Sequence, residues 1–131
     1  MITAVDTSVL LDVFLPDDEL GEQSRSWLRA AYDAGAVLVS DIVYAELVPA
    51  FRERSALDRA LGEINAKVSH LNTAMAYEAG LRWQRYRQAG GPRERIITDF
   101  LIGAHAASVA ESFLTRDRGF YETYFPELKR N

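Results

Sequence analysis

The sequence predicts an α/β fold in which helices cover both faces of a central, mainly parallel sheet. Short apolar runs at residues 1–5, 36–40 and 112–115 have the length and composition of buried strands. Longer segments with apolar residues at helical spacing separate these runs, and such alternation is typical of parallel sheets. No repeat, low-complexity segment or Pro/Gly-rich linker divides the chain, so a single domain over residues 1–131 is expected.

The first half of the chain should contain two strands and four helical segments. In order, they are a strand at 1–5, helical turns at 8–14, a helix from 17 or 18 to 34, a strand at 36–40, a helix at 41–54 and a helix at 56–66. Asp17 or Asp18 is expected to cap the helix that ends before Gly35. Pro49 lacks a backbone N–H, so it should bend or interrupt the helix at 41–54.

The second half should contribute two strands and two helices. In order, they are a strand at 68–71, a helix at 73–88 capped by Thr73, a helix at 98–110 and a strand at 112–115, followed by a polar turn and an aromatic C-terminal segment. The helix at 98–110 is apolar almost all round, which is typical of a helix buried between other elements.

The composition indicates a cytoplasmic protein that does not contact a membrane. Because the chain has no cysteine, neither disulfides nor thiolate metal sites can form, and this suits a reducing compartment. No apolar stretch approaches the ~20 residues that span a bilayer. The first residues lack the basic region of a signal peptide, so no such peptide is expected.

The net charge of −4 is unusual for a nucleic-acid-binding protein, whose binding surface is normally basic. Arginine nevertheless accounts for most of the basic residues, and it is the better bidentate partner for phosphate. The arginine clusters have two interpretations, as solvated helix faces or as phosphate contacts. The acidic total also fits carboxylates gathered around a divalent cation, which would neutralise them locally.

Three aspartates lie where parallel strands should end. Asp6 follows the first strand, Asp117 follows the strand at 112–115, and Asp99 begins the buried helix. In an open parallel sheet, sites form at the carboxyl ends of the strands, so these side chains are expected at one edge. Ordinary roles remain open for each: Asp6 and Asp117 as caps or turn residues, and Asp99 as a charge that complements the helix dipole.

Glu46 falls on the apolar face of its predicted helix, together with Val43, Leu47 and Ala50. An unpaired carboxylate on such a face would cost several kcal/mol or become neutral. Two arrangements would compensate it: a buried pair with an arginine, or a cation shared with the three aspartates. Four carboxylates without cysteine form an all-oxygen set, which suits one or two Mg²⁺ or Mn²⁺ ions rather than Zn²⁺.

Other polar residues are assigned structural roles. Asp12 is expected at the surface, Asp41 as the N-cap of the helix that carries Glu46, and His70 and His105 as structural or surface residues. Neither a Ser–His–Asp arrangement nor a phosphate-binding glycine loop is indicated.

Four blocks, VDTSVLLD, DIVYAEL, ITDFLIGAHA and FLTRDRGFY, occur in this order along the chain. Together they resemble the PIN-domain family, and within it the VapC-type toxins of toxin–antitoxin pairs. The resemblance covers almost the whole chain. It implies a three-layer α/β/α domain with a Mg²⁺- or Mn²⁺-dependent ribonuclease site.

The resemblance also assigns residues and partners. It implies that the catalytic and metal-binding acids are Asp6, Glu46, Asp99 and Asp117, with Thr115 and either Thr7 or Ser8 as hydroxyl helpers. Among the arginines, the candidate substrate contacts are Arg93, Arg95 and Arg116. Cleavage by such a site would leave a 5′-phosphate and a 3′-hydroxyl. The implied partners are an RNA substrate, a small cognate antitoxin and a second copy of the chain in a homodimer.

Three alternatives to the nuclease interpretation remain open from the sequence. A catalytically silent PIN-like module would bind RNA or protein without cutting, although all four acids are present. A haloacid-dehalogenase-type phosphatase would need a second acid where Ser8 stands. A receiver domain would need a lysine after a late strand, yet the only lysines are Lys67 and Lys129.

Overall fold

The structure, a computed structural model, describes residues 1–15, 18–92 and 96–130. Its elements are β1 (Ile2–Val5), α1 (Thr7–Phe14), α2 (Asp18–Ala34), β2 (Ala36–Ser40), α3 (Asp41–Leu47), a short 3-10 helix (Val48–Ala50), α4 (Arg54–Glu63), β3 (Ala66–Ser69), α5 (Thr73–Gln88), α6 (Ile97–Val109), β4 (Ser112–Leu114), α7 (Arg118–Tyr124) and β5 (Lys129–Arg130). The predicted alternation of strands and helices is confirmed.

All the strand pairs of the sheet are parallel, and the strand order is β3-β2-β1-β4-β5. The chain moves from β1 outwards through β2 to β3, and then returns to place β4 on the other side of β1. Helices flank this sheet, so the three-layer prediction is confirmed. The order reverses between β1 and β4, and ligand sites in such sheets form beside the strand ends at that point.

The buried helix predicted at 98–110 corresponds to α6. Phe100, Ile102, Ala104 and Ala106 are buried along it, and α6 packs against β1 and β2. At Gly103 an added Cβ would overlap the Phe125 ring, so glycine lets that ring approach the helix closely. None of the helices in the described ranges is both long and apolar enough to cross a membrane.

Several element boundaries differ from the predictions. The helix expected to run to residue 54 ends at Leu47, because Pro49 redirects the chain into the 3-10 helix. The strand expected at 68–71 begins two residues earlier, at Ala66. The aromatic C-terminal segment, for which no regular structure was predicted, contains α7 and the short strand β5.

Two predicted caps are wrong by one residue. The Ser40 side chain, rather than that of Asp41, accepts a hydrogen bond from the Val43 N–H at the start of α3. Likewise the Asn72 side chain, rather than that of Thr73, caps α5. A predicted cap at residue 17 lies outside the described residues. These helices begin where expected, because several neighbouring side chains can all serve as caps.

Candidate active site

Asp6 links the central strand to the first helix. Its side chain accepts a hydrogen bond of 2.8 Å from the Thr7 N–H and so caps α1. Its own backbone N–H donates to the Leu114 carbonyl at 2.9 Å, which extends the pairing of β1 with β4. The residue is only 8% exposed. Asp6 is therefore a helix cap, and it also lies where the strand order reverses.

Thr115 connects two of the predicted acids. It is fully buried at the end of β4, and its hydroxyl donates a 2.8 Å hydrogen bond to Oδ2 of Asp6. The same hydroxyl oxygen accepts a 2.9 Å hydrogen bond from the backbone N–H of Asp117. The structure therefore joins the ends of β1 and β4 through one hydroxyl group, and both carboxylate oxygens of Asp6 have fixed donors.

Asp6 has a strongly perturbed acidity. Burial is the main cause and raises its pKa from 3.8 to about 6, whereas the hydrogen bonds from Thr115 and Thr7 act in the opposite direction. The negative charges of Asp99 and Glu46 raise the pKa further. The three acids are therefore close enough to repel one another, and Asp6 changes its protonation state near neutral pH.

Glu46 is exposed, so the prediction that it lies buried on an apolar stripe is wrong. Val43 and Leu47 are buried as expected, but Glu46 lies outside that buried face. Its carboxylate is nevertheless held at the site, because Oε1 accepts a 2.8 Å hydrogen bond from the Thr7 hydroxyl. Proximity to Asp6 was therefore predicted for a reason that the structure does not support.

Asp99 and Asp117 are both half-buried at the same edge of the sheet. Asp99 lies in the first turn of α6, and Asp117 precedes the first residue of α7. Within the described ranges, no three acidic or histidine side chains are close enough together, as they stand, to hold one metal ion. The donor set still fits Mg²⁺ or Mn²⁺, because it consists of carboxylates that repel one another. Joint coordination would require these side chains to move together.

The predicted helpers and substrate contacts have different outcomes. Thr7 and Thr115 bind site carboxylates, as described above. The Ser8 hydroxyl is buried without a hydrogen-bond partner among the described residues. Arg116 is paired, its Nε lying 2.7 Å from Oδ2 of Asp12. The other two predicted arginines, at positions 93 and 95, lie outside the described residues.

The surface position predicted for Asp12 is wrong. Asp12 is 5% exposed, and its Oδ2 accepts a 2.8 Å hydrogen bond from the Ser24 hydroxyl in addition to the contact with Arg116. In the sequence, Asp12 follows Val9 by three residues and so shares a face of α1 with it, but this spacing alone does not fix its burial.

The two histidines are structural and surface residues, as predicted. His105 is 1% exposed, and burial lowers its pKa, opposed by a hydrogen bond to the Ser69 backbone. The exposed His70 lies 2.8 Å from the Asp41 carboxylate, which also accepts a hydrogen bond from the Leu71 N–H. Asp41 therefore ties α3 to the segment after β3.

Comparisons with known proteins identify the family and the fold. A sequence model of the family described as "PIN domain" matches residues 3–126. The fold is similar to that of VapBC2 from Rickettsia felis, with a TM-score of 0.74, 18% identity, and coverage of 100% of this chain and 98% of that one. VapBC-1 from nontypeable Haemophilus influenzae gives a TM-score of 0.72 at 18% identity, with coverage of 100% and 97%. VapC20 from Mycobacterium tuberculosis, described as a sarcin-ricin loop cleaving toxin, gives a TM-score of 0.67 at 17% identity. The match covers 96% of this chain and 98% of that one.

No sequence among the curated proteins matches the chain. At identities of 17–18%, the structural likeness establishes the fold alone. The predicted similarity to VapC-type toxins is therefore confirmed at the level of the fold.

Proposed function

Because the chain belongs to the PIN domain family, we propose that it is a metal-dependent endoribonuclease and the toxin of a toxin–antitoxin pair. One observation carries the proposal. Asp6 is buried where the strand order reverses, and its pKa is about 6 because burial and the charges of Asp99 and Glu46 disfavour its ionised form. A carboxylate in such surroundings is stabilised by a cation, and perturbed acidity in this position is typical of functional sites.

Asp6, Glu46, Asp99 and Asp117 would hold one or two Mg²⁺ or Mn²⁺ ions. A bound ion at such a site supplies a water molecule activated for attack on phosphorus and offsets negative charge on the phosphoryl oxygens. The products would be a 5′-phosphate and a 3′-hydroxyl. The substrate would be RNA, in line with the similarity in fold to a toxin described as cleaving the sarcin-ricin loop.

The chain's own residues orient the acids for this role. The Thr7 N–H and the Thr115 hydroxyl each fix one oxygen of Asp6, so the remaining lone pairs have defined directions. The Thr7 hydroxyl holds Glu46, and the Thr115 hydroxyl holds the backbone of Asp117. Two buried threonines thereby tie three acids into one unit, which resembles the supporting contacts found around metal ligands.

Arginines would bind the RNA backbone. Arg116 is adjacent to Asp117 in sequence, and 40% of its side chain is exposed, so donors other than Nε remain available to phosphate. Arg93 and Arg95 are proposed for the same role from their sequence position alone. Ser8 is retained as a helper because its hydroxyl lies next to the Asp6–Thr7 pair in sequence and has no partner in the described part of the chain.

A small cognate antitoxin and a second copy of the chain are the proposed protein partners. Several neighbours in structure are described as VapBC complexes or as toxin–antitoxin complexes, which supports the antitoxin. The homodimer and the cytoplasmic location follow from the resemblance to VapC-type toxins. We also propose that residues 1–131 act as one domain.

Cleavage of RNA by the purified chain, with Mg²⁺ or Mn²⁺ and with a chelator, tests the proposal. We expect metal-dependent cleavage that falls at least about 100-fold in Asp6→Asn and Asp99→Asn, because each change removes a charged ligand. Asp33→Asn, the same change at an exposed position of α2, is the matched control and should retain activity. RNA binding without cleavage by the parent would favour the silent PIN-like module instead.

A further inference from the structure

A buried polar network on α1 lies outside the four acids. Asp12 is 5% exposed and Ser24 is fully buried, and the Ser24 hydroxyl donates to Oδ2 of Asp12. The same carboxylate oxygen lies 2.7 Å from Nε of Arg116. Burying a charged carboxylate in this way is costly unless its partners are well placed, and an apolar pair would often be as stable. The network therefore calls for an explanation beyond stability.

The position of Arg116 supplies one. It lies between Thr115 and Asp117, in the turn that connects β4 to α7. Thr115 contacts Asp6, which caps α1, and Arg116 contacts Asp12, which lies further along the same helix. Two consecutive residues of the turn are thus attached to two points on α1, and two points fix an orientation that a single contact would leave free.

The burial of Asp12 makes this attachment firm. An ion pair between two exposed side chains contributes little, because both must give up rotamer freedom to form it. Here the Asp12 carboxylate is already immobilised by Ser24 and by the surrounding helices, so Arg116 is the only partner of the pair that must be ordered. The guanidinium is planar and directional, and it transmits that order to the backbone of the turn.

We propose that Asp12 is a positioning residue that acts through Arg116. It holds the turn carrying Thr115 and Asp117 in register with Asp6, and in this way sets the affinity of the site for a divalent cation. The inference rests on the proposed function, and it concerns the geometry of the site rather than the reaction. Ser24 supports the same arrangement by holding the Asp12 carboxylate.

Mn²⁺ binding to the purified full chain, measured by isothermal titration calorimetry and by the electron paramagnetic resonance signal of free Mn²⁺, is the test. We expect Asp12→Asn and Arg116→Gln each to weaken binding about tenfold, the effect typical of removing a residue that supports metal ligands. The double variant should bind no more weakly than either single variant, because both changes break the same contact. Arg116→Lys, which keeps a cation for Asp12, should recover part of the loss.

Two controls separate positioning from general damage. Asp33→Asn is the matched change at an exposed site and should bind Mn²⁺ as the parent does. Leu61→Ala removes a buried side chain of α4, which packs against the edge strand β3, and should lower stability without weakening Mn²⁺ binding. If Leu61→Ala weakens binding as much as Asp12→Asn does, the effect is a general loss of stability and the proposal is wrong.

The outcomes distinguish this inference from the proposed function. If Asp12→Asn binds Mn²⁺ normally while Asp6→Asn does not, the positioning role fails and the nuclease proposal stands. If the parent binds Mn²⁺, Asp12→Asn binds it weakly, and neither cleaves RNA, the positioning role stands and the nuclease proposal fails. If the parent binds no Mn²⁺, both fail.

Discussion

Asp6→Asn should stabilise the metal-free protein at neutral pH, because the ionised Asp6 carboxylate destabilises the fold. Its pKa is about 6 in the folded protein against an ordinary value of 3.8. One pKa unit corresponds to about 1.4 kcal/mol, so ionised Asp6 costs about 3 kcal/mol of unfolding free energy. The side-chain amide of the new asparagine can still accept a hydrogen bond from the Thr7 N–H and can donate one to the Thr115 hydroxyl oxygen. Weaker hydrogen bonds would offset about 1 kcal/mol, leaving a net gain of about 2 kcal/mol.

The gain should depend on pH in a defined direction. Because the folded pKa of Asp6 lies above the unfolded one, the folded state binds more protons between pH 3.8 and about 6. Stability is therefore lost as the pH rises through this interval. The penalty is small at about pH 4, grows through this interval and is complete above about pH 7, so the advantage of Asp6→Asn should increase from acidic to neutral pH. Titration of His105 affects both proteins alike and cancels in the difference.

Urea unfolding in the presence of a chelator, for the parent and for Asp6→Asn at pH values from about 4.5 to 8, measures this difference. Asp33→Asn serves as the exposed control and should follow the parent at every pH. A stability difference between Asp6→Asn and the parent that stays constant over the whole range would refute the reasoning. So would a variant that is less stable than the parent at pH 8, since the carboxylate would then be favourable in its ionised form.

Three further predictions concern metal binding, the hydrogen bonds of Asp6 and the packing of two helices. Adding Mn²⁺ at pH 7.5 should raise the melting temperature of the parent by several degrees and that of Asp6→Asn much less, because only the parent has the buried charge to neutralise. Equal shifts of the two melting temperatures would contradict this prediction. Thr115→Val should cost about 1–3 kcal/mol of unfolding free energy at neutral pH, since it leaves a buried acceptor of Asp6 unsatisfied. It should also raise the pKa of Asp6, and both effects can be measured by urea unfolding at several pH values and by NMR titration. Gly103→Ala should cost about 1–3 kcal/mol, because the new methyl group meets the Phe125 ring. In Gly80→Ala, the matched change, the added methyl group meets nothing within 4 Å and should instead stabilise α5 by about 0.5–1 kcal/mol. If urea unfolding gave the two variants the same change in unfolding free energy, the packing argument would be wrong.

The part of the site that depends on topology could be predicted from the sequence. Asp6 and Thr115 come at the ends of two short apolar runs, and parallel strands bring their carboxyl ends to the same edge. The alternation of runs and helices was sufficient to predict a parallel sheet. Pro49 likewise indicated a break in its helix, because the missing N–H has the same effect in any surroundings.

The C-terminal elements could not be predicted in the same way. Phe120, Tyr121 and Phe125 show no clear period, and their rings pack against Phe100 of α6 and Phe113 of β4. Strand β5 consists of two residues that pair with β4. Such elements are stabilised by tertiary contacts between distant parts of the chain, and a local pattern carries no record of them.

Asp12 and Glu46 show why helical spacing alone does not identify a buried acid. Both lie three residues after a buried valine, yet Asp12 is buried and Glu46 is exposed. Both acids lie in the last turn of their helices. Helix α2 packs against α1 and brings Ser24 to the Asp12 carboxylate, whereas the exposed Glu46 contacts Thr7 at the edge of the site. The packing of a neighbouring element over an acid, together with the proximity of an arginine from another element, therefore decides whether its charge is buried and paired or available to a cation.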